Sequence, residues 1–198
     1  MTVNFRPWAP QAGAPLFLGL RLLLLGESHY DDWEPGERGA EEAADVTAWV
    51  VERHALGVRR RRFFGNVFEA VTGDCWSEGS QEVRRFWQGV WFYNFIQDFV
   101  GPDWSCRPTG AMFRQSAPAF FEVLNEIRPD AVLVLGKTLW SQMPDADLVA
   151  TDAEGLSYKY QWIGGDAQAA CTRHPSRGFS PGVWHPHIAN FLDAARTR

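Results

Sequence analysis

Side chains able to do chemistry gather at four points in this chain, each at or just after a short apolar run. Arg21 to Leu25 leads into Gly26-Glu27-Ser28-His29-Tyr30, and Val90 to Phe95 carries Asn94 near its end. Ala131 to Leu135 leads into Gly136-Lys137, and Ala169 to Thr172 is followed by His174-Pro175-Ser176-Arg177-Gly178-Phe179-Ser180. Polar, titratable and glycine residues, Glu27 and His174 among them, occupy all four points, which is what a ligand crevice requires. Each also has a plain reading. Glu27 can pair with an arginine or accept loop amides, His174 can be a structural histidine before proline, and Asn94 can satisfy backbone groups at a strand tip. His29 shares a side with Glu27 if the chain stays extended, which makes a carboxylate–histidine metal pair conceivable; the expectation is nevertheless no metal and no cofactor.

Arg59 to Arg62 form a basic run directly before Phe63 and Phe64. Such a run ordinarily marks a solvated helix face, and at least one of the two phenylalanines is expected in the core. Asp31 and Asp32 read as turn residues that supply a carboxylate only if their loop folds back. His185 and His187 fall on different helix faces and read as structural. The ten tryptophans read as core and helix-packing residues.

The elements that must position these groups follow from periodicity. Arg21–Leu25, Val90–Phe95 and Ala131–Leu135 are continuous apolar runs, the pattern of strands buried on both faces. Gly39–His54, Phe64–Val71, Gln81–Trp87 with Ser80 as N-cap, Lys137–Gln142 and Trp184–Arg196 read as helices. A further helix starts at Ser116, with Pro118 in its first turn, and ends near Ile127. Tyr158–Ile163 alternates like an edge strand, and Ala169–Thr172 is a short buried strand. Helical crossovers between the strands imply an α/β fold with a mainly parallel sheet covered on both faces. In such sheets ligands bind beyond the carboxyl ends of the strands, where the four polar segments lie.

With 198 residues, 45% of them hydrophobic, the chain suffices for one domain with a sizeable core. Residues 1–15 form a proline-rich lead-in that wraps this body. The apolar stretch Leu16–Leu25 is too short for a membrane span, and nothing around it has the form of a cleaved leader, so a cytoplasmic protein without a membrane partner, and a monomer, is expected. Three cysteines, an odd number with no CxxC pair, indicate buried free thiols rather than a disulfide framework or a metal cage. The net charge of −5 argues against indiscriminate nucleic-acid binding while permitting a local basic strip.

In order and spacing these segments resemble the uracil-DNA glycosylase superfamily. That family's first motif, Gly-Gln-Asp-Pro-Tyr-His or Gly-Glu-Ala-Pro-Gly at the end of a buried strand, is similar to LLLLGESHY at Leu22–Tyr30, and its closing His-Pro-Ser is similar to His174–Ser176. Phe63-Phe64-Gly65-Asn66 resembles the family's base-stacking Phe-x-Gly segment. Tyr93-Asn94 resembles the strand bearing the asparagine that reads the base edge, and Arg107-Pro108 the Arg-Pro that follows it. Ile127–Lys137 resembles the third strand and its preceding helix. The likeness spans roughly residues 20–195. It implies a single three-layer αβα domain, with a central four-stranded mainly parallel sheet in the order 2-1-3-4.

The resemblance also implies roles. A glycosylase acting on DNA extrudes the nucleotide, stacks its base and hydrogen-bonds the base edge. Phe63 or Phe64, Asn94, Ser28 and Tyr30 fall at base-binding positions; Glu27 and His174 fall at catalytic ones. Ser176, Arg177, Gly178 and Phe179 fall on the loop that grips phosphates and inserts into the base stack. The first motif departs from the family: Ser28 and His29 stand where one branch has Asp-Pro, and His29-Tyr30 where the other has Pro-Gly. The cysteines of the iron–sulfur branches are absent. The expectation is therefore a cofactor-free glycosylase-like protein that hydrolyses the N-glycosidic bond of uracil or another modified base, with DNA or a nucleobase-containing ligand as partner. The alternatives are an inactive nucleobase, nucleotide or single-strand binding module, or a small-molecule hydrolase using Glu27 and His174.

Overall fold

The computed structural model of the chain describes residues 2–31, 43–57, 61–152, 155–176 and 178–197. Four apolar runs of the sequence become β1 (Leu22–Gly26), β2 (Trp91–Asn94), β3 (Ala131–Leu135) and β6 (Gly165–Thr172). Every side chain of β1 and β3 is buried. Strand alternation splits them between two cores. Leu22, Leu24, Phe92, Ala131, Leu133 and Leu135 face one; Leu23, Leu25, Tyr93, Val132 and Val134 face the other. Parallel pairing of β1 with β2 and β3, and of β3 with β6, sets the four carboxyl ends side by side.

Helices cover both faces. On the first lie α1 (Val46–Val51), which runs on into a wide π-helical turn at Glu52–Leu56, then α2 (Arg62–Thr72), α3 (Gln81–Gln88) and α6 (Pro181–Arg196). On the second lie α4 (Gly110–Ile127) and α5 (Lys137–Gln142). Ser80 caps α3 as expected, its side chain accepting from Val83 N at 3.2 Å. The expected start of the first helix, Gly39 to Glu42, lies outside the described residues.

The sheet is larger than expected. β4 (Asp147–Asp152) and β5 (Gly155–Trp162) extend it antiparallel, giving six strands in the order β2-β1-β3-β6-β5-β4. Four parallel strands follow the expected 2-1-3-4 order with β6 as the fourth, but the sheet as a whole is mixed. Of the segment expected as an edge strand, Tyr158–Ile163, all but Ile163 belongs to β5; Tyr158 and Lys159 pair with both β4 and β6, and Tyr160 to Trp162 with β6 alone. Only β4, whose short run between aspartates gives a weak strand signal, makes β5 internal. Helix α4 also begins earlier than Ser116. Thr109 caps it, accepting from Met112 N at 3.3 Å, and Pro118 sits in its interior on an exposed side. Ser116 instead accepts Gln97 N at 3.0 Å, a tertiary bond that mimics a capping residue in the sequence.

The lead-in covers the β2 edge, where unpaired backbone would otherwise invite association. Trp8 and Phe92 exchange backbone bonds at 2.8 and 3.1 Å, and Trp8 Nε1 donates to Trp87 O at 2.7 Å. Against expectation, none of the three cysteines is buried: Cys75 is exposed in the loop after α2, and Cys106 and Cys171 are half-covered. No helix among the described residues is long and apolar enough to cross a membrane.

Candidate functional cleft at the strand tips

Beyond the carboxyl ends of β1, β2, β3 and β6 lies a cavity of about 590 Å³, within the range of small-molecule sites. Its walls hold Glu27, Ser28, Tyr30, Phe63, Phe64, Asn94, His174 and Ser176. One cleft thus collects candidates from loci up to 149 positions apart, counted from Glu27 to Ser176. Gly178 and Phe179 are not among its walls. Phe179 packs on the first core and stacks on Trp184, with rings 6.2 Å apart and 5° from parallel. Arg177, Asp32, Arg59 and Arg60 lie outside the described residues. Asp31 is exposed and gives its N–H to Gly101 O at 2.8 Å.

Two loops, after β1 and after β2, are laced together to form one side of the cleft. Phe95 N donates to Gly26 O at 2.9 Å, Ile96 N to Glu27 O at 2.9 Å, and Val100 N to His29 O at 3.1 Å. Within this ladder Asn94 is buried, its Nδ2 donating to Ser28 O at 3.1 Å. Gln97 fixes the same corner: its Nε2 donates to Asn94 O at 2.9 Å while its Oε1 accepts Asn4 N and Phe5 N. Ser28 Oγ is buried with no protein hydrogen-bond partner.

The two phenylalanines divide the work. Phe64 is 3% exposed and packs on Trp87 and Phe92, so it is core with one edge on the cleft. Phe63 is half-buried, 5.4 Å from the His174 ring and 6.2 Å from Phe92. Asn66, one turn into α2, donates through Nδ2 to Pro175 O at 3.2 Å and Ser176 O at 3.4 Å. The helix that presents Phe63 therefore also holds the His174 loop. On the other flank, Gly136 turns the chain out of β3 at φ +150°, a conformation side chains disfavour, with His174 Cβ and Cδ2 nearby.

Burial raises the Glu27 pKa above 4.5, and the positive charge of Arg107 works against that rise. For His174, burial comes first and Arg107 adds to it, both lowering its pKa below 6.5. The cleft thus pairs a more basic carboxylate with an imidazole kept neutral at physiological pH. His29 does not share this chemistry. It is 4% exposed, its Nε2 lies 3.0 Å from Thr47 Oγ1, and Phe5 meets it edge-on at 5.3 Å. Burial drops its pKa to about 3, so it is neutral and structural. Among the described residues no group of three or more His, Cys, Asp or Glu side chains could hold a metal. His185 is likewise structural, its Nδ1 3.1 Å from Ala70 O.

Sequence reasoning gave part of the wall no site role. Arg61, Trp104, Arg107, Lys137 and Thr138 also line the cleft. Arg107 and Lys137 had weak signals, the first in an Arg-Pro pair and the second after a buried strand. Trp104 had none, because tryptophan type alone points to the core, whereas this one is 74% exposed. Compared with protein-family models and with curated proteins, the chain finds no match.

Proposed function

We propose that this protein is a glycosylase-like hydrolase that takes a uracil or other modified base into the strand-tip cleft and hydrolyses its N-glycosidic bond. The observation that supports this reading best is the convergence of Glu27, Asn94, Phe63 and His174 on one cleft of about 590 Å³, with room for a base and the sugar attached to it. Phe63 offers a ring face to the base. Asn94 offers an amide already oriented by Ser28 O, and the orphaned Ser28 Oγ offers a hydrogen bond to a polar edge. A buried hydroxyl without a partner costs on the order of 1–3 kcal/mol, which such an edge would offset.

In the reaction, water attacks the anomeric carbon and gives its proton to Glu27, whose raised pKa makes it the better acceptor. The carbon–nitrogen bond breaks and its electron pair leaves with the base. Neutral His174 donates an N–H to that departing anion, and the charge of Arg107 adds to the stabilisation. No cofactor enters the step.

A second reading, a nucleobase-binding module without hydrolysis, draws on Ser28, a hydroxyl at the position where one branch of the resembling family carries a carboxylate. Single-turnover assays with enzyme in excess separate the two, using oligonucleotides that carry uracil, hypoxanthine, xanthine or alkylated bases. Excision of one base, lost in Glu27→Gln and His174→Ala, supports the hydrolase. Binding without excision of any of them moves the assignment to the binding module. Neither binding nor excision removes nucleic acid from consideration and leaves a small-molecule hydrolase.

A further inference from the structure

Trp104 stands out among the described apolar side chains. Leu18, Phe121, Ile163 and Val183 are also exposed, but of these five large side chains Trp104 alone lines the cleft. An indole left 74% in water at the mouth of a cavity forgoes burial that folding normally favours. It is also held there. The Asp103 carboxylate accepts Ser105 N at 2.7 Å and Ser105 Oγ at 2.5 Å, closing a tight turn with Trp104 at its apex. Cys106 N donates to Asp103 O at 3.2 Å, and Arg107 Nη1 donates to Trp104 O at 3.2 Å. The turn is thereby tied to the residue whose charge acts on both Glu27 and His174.

The charge around this indole differs from that of the whole chain. The protein carries a net charge of −5, yet among the described residues the cleft that Trp104 borders is lined by Arg61, Arg107 and Lys137 against one carboxylate, Glu27, with Asp103 committed to the turn beneath the indole. An exposed aromatic face beside a group of cations is the arrangement that holds single-stranded nucleic acid, with bases stacked on the ring and phosphates met by the cations. The loop after His174 does not provide such a face, because Phe179 is occupied against Trp184.

Resting on the nucleobase reading of the cleft, we propose that Trp104 is a stacking platform for the base next to the one held in the cleft. The ligand is then a strand of nucleic acid rather than a free base or mononucleotide. Arg61, Arg107 and Lys137 meet the phosphates that join the two nucleotides.

The test is equilibrium binding of the full chain to fluorescein-labelled oligodeoxythymidylate of about 12 residues, beside thymidine 5′-monophosphate. Wild type should bind the oligomer, with affinity falling as salt is raised. Trp104→Ala should bind it about tenfold less tightly and Trp104→Phe nearly as well as wild type, since base–aromatic stacking has that magnitude. Both variants should keep wild-type thermal stability, the side chain being solvent-exposed, and Trp104→Ala should lose clearly less affinity for the mononucleotide than for the oligomer. Wild-type oligomer affinity in Trp104→Ala would overturn the stacking role and leave the cleft reading standing. Equal losses for oligomer and mononucleotide would place Trp104 in the base pocket and overturn the strand reading. Binding of the mononucleotide but not the oligomer by wild type would overturn the proposal while sparing the nucleobase reading. Binding of neither by wild type would overturn the strand proposal, and the excision assay on uracil and modified bases then decides the cleft reading by itself.

Discussion

Asn94 closes over Gly26: a Cβ built on Gly26 would run into Asn94 Oδ1, with Phe92 Cζ also only 3.2 Å away. The two residues are register partners on β2 and β1, so the missing side chain of one makes the space for the amide of the other. Gly26→Ala should therefore displace the amide from Ser28 O, at an overpacking cost of about 1–3 kcal/mol. The expected result is a lower urea midpoint together with loss of base binding. A variant that binds normally would show that Asn94 does not read the ligand.

Glu27 links function to stability. Its folded-state pKa is raised, so between 4.5 and that higher value the folded chain holds more proton than the unfolded chain. Stability then falls as pH rises through this interval. Glu27→Gln should raise the urea midpoint at neutral pH, and the gain should vanish below about pH 4.5, where both states carry the proton. The same variant should abolish excision. Paired unfolding curves at two pH values check the first statement, single-turnover kinetics the second.

Arg107 lowers the pKa of both Glu27 and His174. Arg107→Gln should move both upward. NMR titration of the His174 imidazole would register one shift, and a displaced acid limb in the pH–rate profile the other. An unchanged imidazole titration would mean that the guanidinium is screened from the cleft in solution.

His29 should govern acid sensitivity. Its pKa is held at about 3 against an ordinary 6.5, so the folded state resists a proton that the unfolded chain accepts. The associated stability is fully present above pH 6.5 and is lost progressively as pH falls toward 3. His29→Gln removes the titrating group and should flatten stability between neutral pH and pH 5. It should also cost about 1–3 kcal/mol at neutral pH through the lost contact to Thr47.

Adjacent phenylalanines should give opposite phenotypes. Phe64→Ala opens a hole against Trp87 and Phe92 and should destabilise the fold by about 3–5 kcal/mol. Phe63→Ala, at the half-buried site beside His174, should destabilise clearly less than Phe64→Ala while weakening ligand binding. Calorimetry and binding titrations on the same two proteins separate these effects.

Local pattern was enough to reveal the parallel strands and the polar groups at their tips. A strand buried on both faces needs an unbroken apolar run, as in Leu22–Leu25 and Ala131–Leu135, and whatever follows such a run must emerge beyond the sheet. Glu27, Asn94 and His174 could therefore be assigned to one end of the molecule from their positions alone. Long-range packing decided the rest. Neighbours in sequence do not reveal that Phe64 turns inward and Phe63 outward, because both begin the same helix and the choice depends on Trp87, Phe92 and His174. Ser116 looks like a cap until Gln97 claims its hydroxyl. The antiparallel addition of β4 and β5 depends on pairing across the chain, to which the short run at 147–152 contributes little local signal. Trp104 is the sharpest instance: its residue type favours the core, and only the turn closed by Asp103, tied to Arg107, sets it at the edge of the cleft.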